Sequence, residues 1–77
     1  MRKSINSKRQ ERLSALLRAA RKRAGLSQIQ LAKKLGVYKT YVSKYEKGER
    51  RLDVVEFIAV AHALKLDPAE ALAKVKE

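Results

Sequence analysis

The chain has 77 residues, enough for one small domain, and a domain of that size buries only about 60% of the surface its unfolded chain exposes. It has no Cys and a single His, His62, which excludes disulfides, thiolate metal sites, thiol catalysis and an imidazole cluster for zinc, and fits a reducing cytosol. Lys and Arg number 19 against 8 Asp and Glu, and the resulting +11 calls for a polyanionic partner: nucleic acid, an anionic membrane or an acidic protein.

Residues 1–8, with Arg2, Lys3 and Lys8, form a basic N-terminal arm. It either lies along a DNA groove or adds only nonspecific attraction as a flexible tail. No apolar stretch follows it, so it is not a secretory signal. Ser7 with Gln10 three positions later is a capping box for a first helix running to about Ala24. Leu13, Leu16, Leu17, Ala20 and Ala24 fall on one helical stripe, and Gly25 supplies the left-handed stop. Arg18, Lys22 and Arg23 lie off that stripe and read as solvated.

Ser27 caps a second helix, Gln30 completes its box, and Leu26 can staple onto Leu31. This helix ends at Leu35, because Gly36 tolerates the positive φ of a tight turn. A third helix spans about Tyr38 to Lys47 and stops at Gly48. The fourth opens at Asp53 with Glu56 in its box and runs to about Lys65. The fifth opens at Asp67, with Pro68 at its first position and Glu70 in the box, and frays past Val75. With no alternating apolar pattern anywhere, the expectation is an all-α, five-helix bundle over residues 9–77.

Asp53, Glu56, Asp67 and Glu70 sit at helix starts, where the helix dipole favours negative charge. No carboxylate pair is then left for acid–base work, no Ser or Thr has a His base at a suggestive spacing, and there is no glycine-rich phosphate loop. The chain is not expected to be an enzyme, and nothing in it requires a cofactor or small-molecule effector.

The third helix separates two faces at 100° per residue. Tyr38, Tyr41, Val42 and Tyr45 point one way; Lys39, Thr40, Ser43, Lys44 and Lys47 point the other. The polar side holds basic residues and no acid. Lys suits guanine O6 and N7, hydroxyls suit several bases, and a Thr methyl suits thymine. A merely solvated helix face would look the same, so the surrounding features decide.

Leu26 to Gly48 resembles the helix-turn-helix of the phage repressor and Cro superfamily (XRE-like), on Arg21, Leu26, Gln28, Leu31, Ala32, Gly36, Val42, Glu46, Gly48 and the Ala61-to-Leu64 stretch. The resemblance covers about residues 9 to 74 and implies a lambda-repressor-like five-helix domain that lays its third helix in the major groove. It implies that Lys39, Thr40, Ser43 and Lys44 read bases, and that Gln28 holds a phosphate and braces the reading helix. It also implies a structural ion pair of Arg21 with Glu46, which the wheel supports, since each borders the apolar stripe of its helix. Tyr38 stands where the family usually has a small cap, and Leu52 where Pro is frequent. Tyr38 either loosens the helix start or offers its hydroxyl to the sugar-phosphate backbone. Lys47, Arg50 and Arg51 surround the next turn as phosphate contacts, which set register without reading sequence.

The fourth helix is apolar nearly all round. Val54, Phe57, Ile58, Ala61 and Leu64 are its expected core stripe. Val55, Ala59 and Ala63, with Leu72 and Val75 of the fifth helix, are expected to form a dimer seam, with His62 at the rim. Two reading heads about 34 Å apart would fit a palindromic operator.

The function expected is a cytoplasmic, sequence-specific double-stranded DNA-binding transcriptional regulator, a homodimeric repressor. The rival is a partner-dependent module, either an antitoxin or the controller of a restriction–modification system. Membrane binding by the first helix is a weaker third reading: its stripe lacks an aromatic anchor, its leucines are needed for the core, and no apolar run approaches roughly 20 residues.

Overall fold

The computed structural model describes residues 8–76. Among them are five helices: α1 (Lys8–Arg23), α2 (Gln28–Leu35), α3 (Lys39–Glu46), α4 (Val54–Ala63) and α5 (Pro68–Val75). The expected Ser7 cap and residues 1–7 of the arm lie outside the described residues; Lys8, expected in the arm, is the first residue of α1. No helix among the described residues is long and apolar enough to cross a membrane.

The caps show why the helices start where they do. Ser27 accepts from the Gln30 amide while the Gln30 side chain accepts from the Ser27 amide, and Asp53 and Glu56 repeat this at α4. The cap of α5 is one-sided, with Asp67 accepting from the amides of Ala69 and Glu70 ahead of Pro68. Four helix ends close by the same pair of backbone hydrogen bonds, as at α2, where Val37 donates to Ala32 and Gly36 to Lys33. That closure needs a left-handed residue, and Gly36 takes it at φ 73° to make the turn of the helix-turn-helix. At the end of α4 the same position falls on Lys65, at φ 60°.

In the packing, α2 lies most extensively on α3, α1 touches α3 and α5, and α4 touches α2 and α5. Leu17, Leu31, Val42, Tyr45 and Val60 are the largest fully buried side chains, with Ala20, Ala32, Phe57, Leu64 and Ala71 around them. Ala32 is small and buried on α2, the helix that lies most extensively on α3. Leu13, Leu16, Leu26 and Leu35 close the rim of this core. Ala24, expected on the α1 stripe, is exposed, since the helix has already ended at Arg23.

Helix α4 is where the expected faces change most. Its buried set is Phe57, Val60, Ala61 and Leu64, a stripe that takes in Val60 and leaves out Ile58. Val54, in the first turn, is 73% exposed, and Ile58 is also exposed. Ala63 is partly buried against the core and Val75 is buried, so both turn largely inward, away from the face expected to form the dimer seam. Val55, Ala59 and Leu72 are exposed.

Candidate nucleic-acid interface

Helix α3 carries its polarity as the wheel requires. Val42, Tyr45 and Glu46 are buried, whereas Lys39, Thr40 and Lys44 are exposed and Ser43 is half-exposed. Lys47 caps the C-terminus of α3 and is exposed. Tyr38 departs from the expected core side and is 85% exposed. It is the N-cap, with extended backbone (φ −79°, ψ 156°) and no side-chain capping bond, so helical angles do not place it.

The buried side of α3 is tied to its neighbours through Glu46. Arg21 of α1 reaches it with two donors, Nε to Oε2 at 2.7 Å and Nη2 to Oε1 at 3.1 Å, and both side chains are almost wholly buried. The third nitrogen of Arg21 donates to the Leu26 carbonyl at 2.8 Å, satisfying a group in the α1–α2 connection. Gln28, the first residue of α2, donates its amide to Glu46 Oε1 at 3.0 Å. One carboxylate therefore gathers α1, α2 and α3, and the hydrogen bond to Glu46 raises the Arg21 pKa further above its ordinary value. Ser14 adds a second tie that the sequence reading passed over. Its buried hydroxyl donates to the Tyr45 carbonyl at 3.0 Å.

Past α3, Arg50, expected to contact phosphate, is engaged within the domain. Its guanidinium lies 4.4 Å from the centre of the Tyr41 ring, and it holds Glu56 with both prongs, Nη2 to Oε2 at 2.8 Å and Nη1 to Oε1 at 3.1 Å. Nη1 also donates to the Arg51 carbonyl at 2.9 Å. Hydrogen bonds from Arg50, and then from the Asp53 amide, hold the Glu56 carboxyl down at about 2. Tyr41 in turn meets Tyr45 edge to face, ring centres 5.9 Å apart, and loss of solvent raises its hydroxyl pKa. The sequence reading gave Glu56 only its capping task, and a contact six residues long across a loop leaves no periodic signal. Arg51 is exposed, as is Glu49, an acid between Lys47 and Arg50 that the sequence reading left unassigned.

An open groove of about 620 Å³ runs beside the α3 N-terminus, lined by Gly36, Val37, Tyr38, Thr40, Tyr41, Lys44 and Arg50. Lysine, hydroxyl and aromatic groups along one ridge can donate to base edges, contact thymine methyls and stack against sugars; the residues lining the groove include no acid, and nearby Glu56 is already engaged by Arg50. Among the described residues no group of three His, Cys, Asp or Glu could hold a metal ion.

Comparison with known proteins agrees with this geometry. The helix-turn-helix family matches residues 17–70, well over half the chain. No curated protein sequence matches. Among solved structures, the chain is similar to an XRE-family like protein from Pseudomonas syringae pv. tomato str. DC3000, with 42% identity over 96% of this chain and 90% of that one, at a TM-score of 0.87. It is similar to the restriction-modification controller protein C.AhdI from Aeromonas hydrophila, with 34% identity over 80% of this chain and 90% of that one, at a TM-score of 0.75. It is also similar to the controller protein C.Esp1396I, solved as a tetramer in complex with its natural 35 base-pair operator, with 25% identity over 90% and 95% of the two chains, at a TM-score of 0.78. The chain belongs to the helix-turn-helix family of XRE-like proteins.

Proposed function

We infer that the protein represses transcription as a homodimer that reads a palindromic site on double-stranded DNA. Membership of the helix-turn-helix family makes it a DNA-binding transcriptional regulator and not an enzyme. The observation that carries the finer reading is the exposed ridge of α3, whose inner side is immobilised by Glu46 while Lys39, Thr40, Ser43 and Lys44 project outward. Those four read base edges. Gln28, Tyr38, Lys47 and Arg51 contact the backbone. The site of action is the cytoplasm.

Support for the dimer comes from exposed apolar side chains on α4 and α5: Val54, Val55, Ile58 and Leu72, with Ala59 among them. A single reading helix covers few base pairs, and two related by a two-fold axis read both halves of a palindrome. The C.Esp1396I tetramer on its operator is a relative that binds DNA as several copies. The 34% identity to C.AhdI favours the controller of a restriction–modification system as the biological setting over an antitoxin.

Selection from a random duplex pool, followed by a shift assay with competitor DNA, tests this reading. A preferred palindrome should emerge. Replacing Thr40 or Lys44 with Ala should then cost about 1–3 kcal/mol at one position and relax preference there. Replacing Lys47 with Ala should weaken all sequences alike and lower the log–log salt slope by about 0.9. No preferred sequence in the pool ends the reading. Sedimentation of Val55→Glu tests the dimer: the wild type should sediment as a dimer and the variant as a folded monomer.

A further inference from the structure

Arg50 stands on the wall of the groove that also contains Thr40 and Lys44, where the sequence leads one to expect a phosphate contact. Its Nη1–Nη2 edge is nevertheless occupied. A guanidinium meets phosphate and carboxylate through paired N–H donors, and here the Nη1–Nη2 pair holds Glu56, at 3.1 and 2.8 Å. The guanidinium carbon sits over the Tyr41 ring, 4.4 Å from its centre. Glu56 is held in place as well: the Asp53 amide donates to its Oε1 at 2.9 Å, so α4 presents the carboxylate as part of its own cap. A phosphate that took the Nη1–Nη2 edge would have to displace a carboxylate fixed at a helix start, and one approaching the Nε side would meet a charge that Glu56 already compensates.

Resting on the DNA-reading role, we propose that Glu56 is a positioning residue for specificity: it keeps Arg50 over the Tyr41 ring, charge-compensated, beside the reading ridge and withholds its charge from phosphate. The chain carries +11, so sequence-independent attraction is already abundant. A free arginine next to Thr40 and Lys44 would add attraction to every sequence equally. Bound by Glu56, it contributes shape at the groove and leaves discrimination to the neighbouring side chains. The same cluster links α3 through Tyr41 to α4 through Glu56, fixing the intervening turn that carries Lys47 and Arg51.

Glu56→Gln tests the proposal, because glutamine can still accept from the Asp53 amide while losing the charge. Binding is measured from 50 to 200 mM salt on the selected operator and on a scrambled duplex, with a thermal melt to confirm folding. The variant should bind the scrambled duplex more tightly at low salt, and its log–log slope should steepen by up to about 0.9, roughly a threefold larger loss across that salt range. Its operator-to-scrambled ratio should fall. Arg50→Ala in the wild-type background should leave the slope unchanged, and adding it to Glu56→Gln should restore the wild-type slope. A Glu56→Gln slope equal to wild type, or a slope lowered by about 0.9 in Arg50→Ala alone, overturns the proposal. The slope is read on scrambled DNA too, so absence of any preferred operator would fail the repressor reading and leave this result separately scored.

Discussion

The Nε of Arg21 lies 2.7 Å from Oε2 of Glu46, with 10% and 3% of the two side chains exposed. Burying two charges is costly, so the pair as a whole adds little net stability, but loss of either partner strands the other. Glu46→Ala also removes the acceptor of the Gln28 amide. Arg21→Ala or Glu46→Ala should each cost about 3–5 kcal/mol, and the double variant less than the sum of the two. Urea denaturation of all four proteins measures this, and additive losses would contradict it.

The Tyr45 hydroxyl is buried and has no hydrogen-bond partner, and burial pushes its pKa upward. The ring is needed for the core, whereas the oxygen gains nothing there. Tyr45→Phe should therefore stabilise the domain by roughly 1 kcal/mol, which raises Tm by about 4–8 °C in a chain of this size. A lower melting temperature would mean that the hydroxyl has a partner after all.

Tyr38 occupies an N-cap without capping it. A serine there can accept from the amides of the first turn of α3, so Tyr38→Ser should add about 1 kcal/mol to stability. If the exposed ring contacts the DNA backbone, the same variant should bind DNA more weakly although it melts later. A gain in both properties would remove Tyr38 from the interface.

Glu56 also sets an acid limit. Its carboxyl is lowered from an ordinary 4.5 to about 2, so it binds its proton less readily in the folded state than in the unfolded one. Its contribution to stability is thus complete above about pH 4.5 and disappears as pH falls toward 2. Glu56→Gln should flatten the loss of stability across that window and leave any loss at higher pH untouched. Denaturant midpoints followed down in pH provide the comparison.

Much of this fold was legible because its signals are local. Caps at Ser27, Asp53 and Asp67 and the turn at Gly36 announce themselves within a few residues, and the stripes of α1 and α3 repeat at helical spacing. Helix α4 defeated the same method. With apolar residues on nearly every side, no polar arc fixed the phase, and Ile58 was placed inward where Val60 belongs. Tyr38 was misplaced because a wheel assumes helical angles one residue before they begin. Of the polar contacts, Arg21 with Glu46 could be anticipated from stripe borders and the family pattern. The arrangement of Tyr41, Arg50 and Glu56 could not, since it joins a helix face, a turn and a cap that share no period.

Lys65 gives the joint between α4 and α5 a weakness absent from the others. A side chain held at φ 60° costs on the order of 1 kcal/mol more than glycine in the same conformation. The hinge most ready to spring is thus the one joining the two helices that bear the exposed Val55 and Leu72. If the proposed dimer lies across both helices, a second copy braces that joint, and amide protection in α5 should climb with protein concentration.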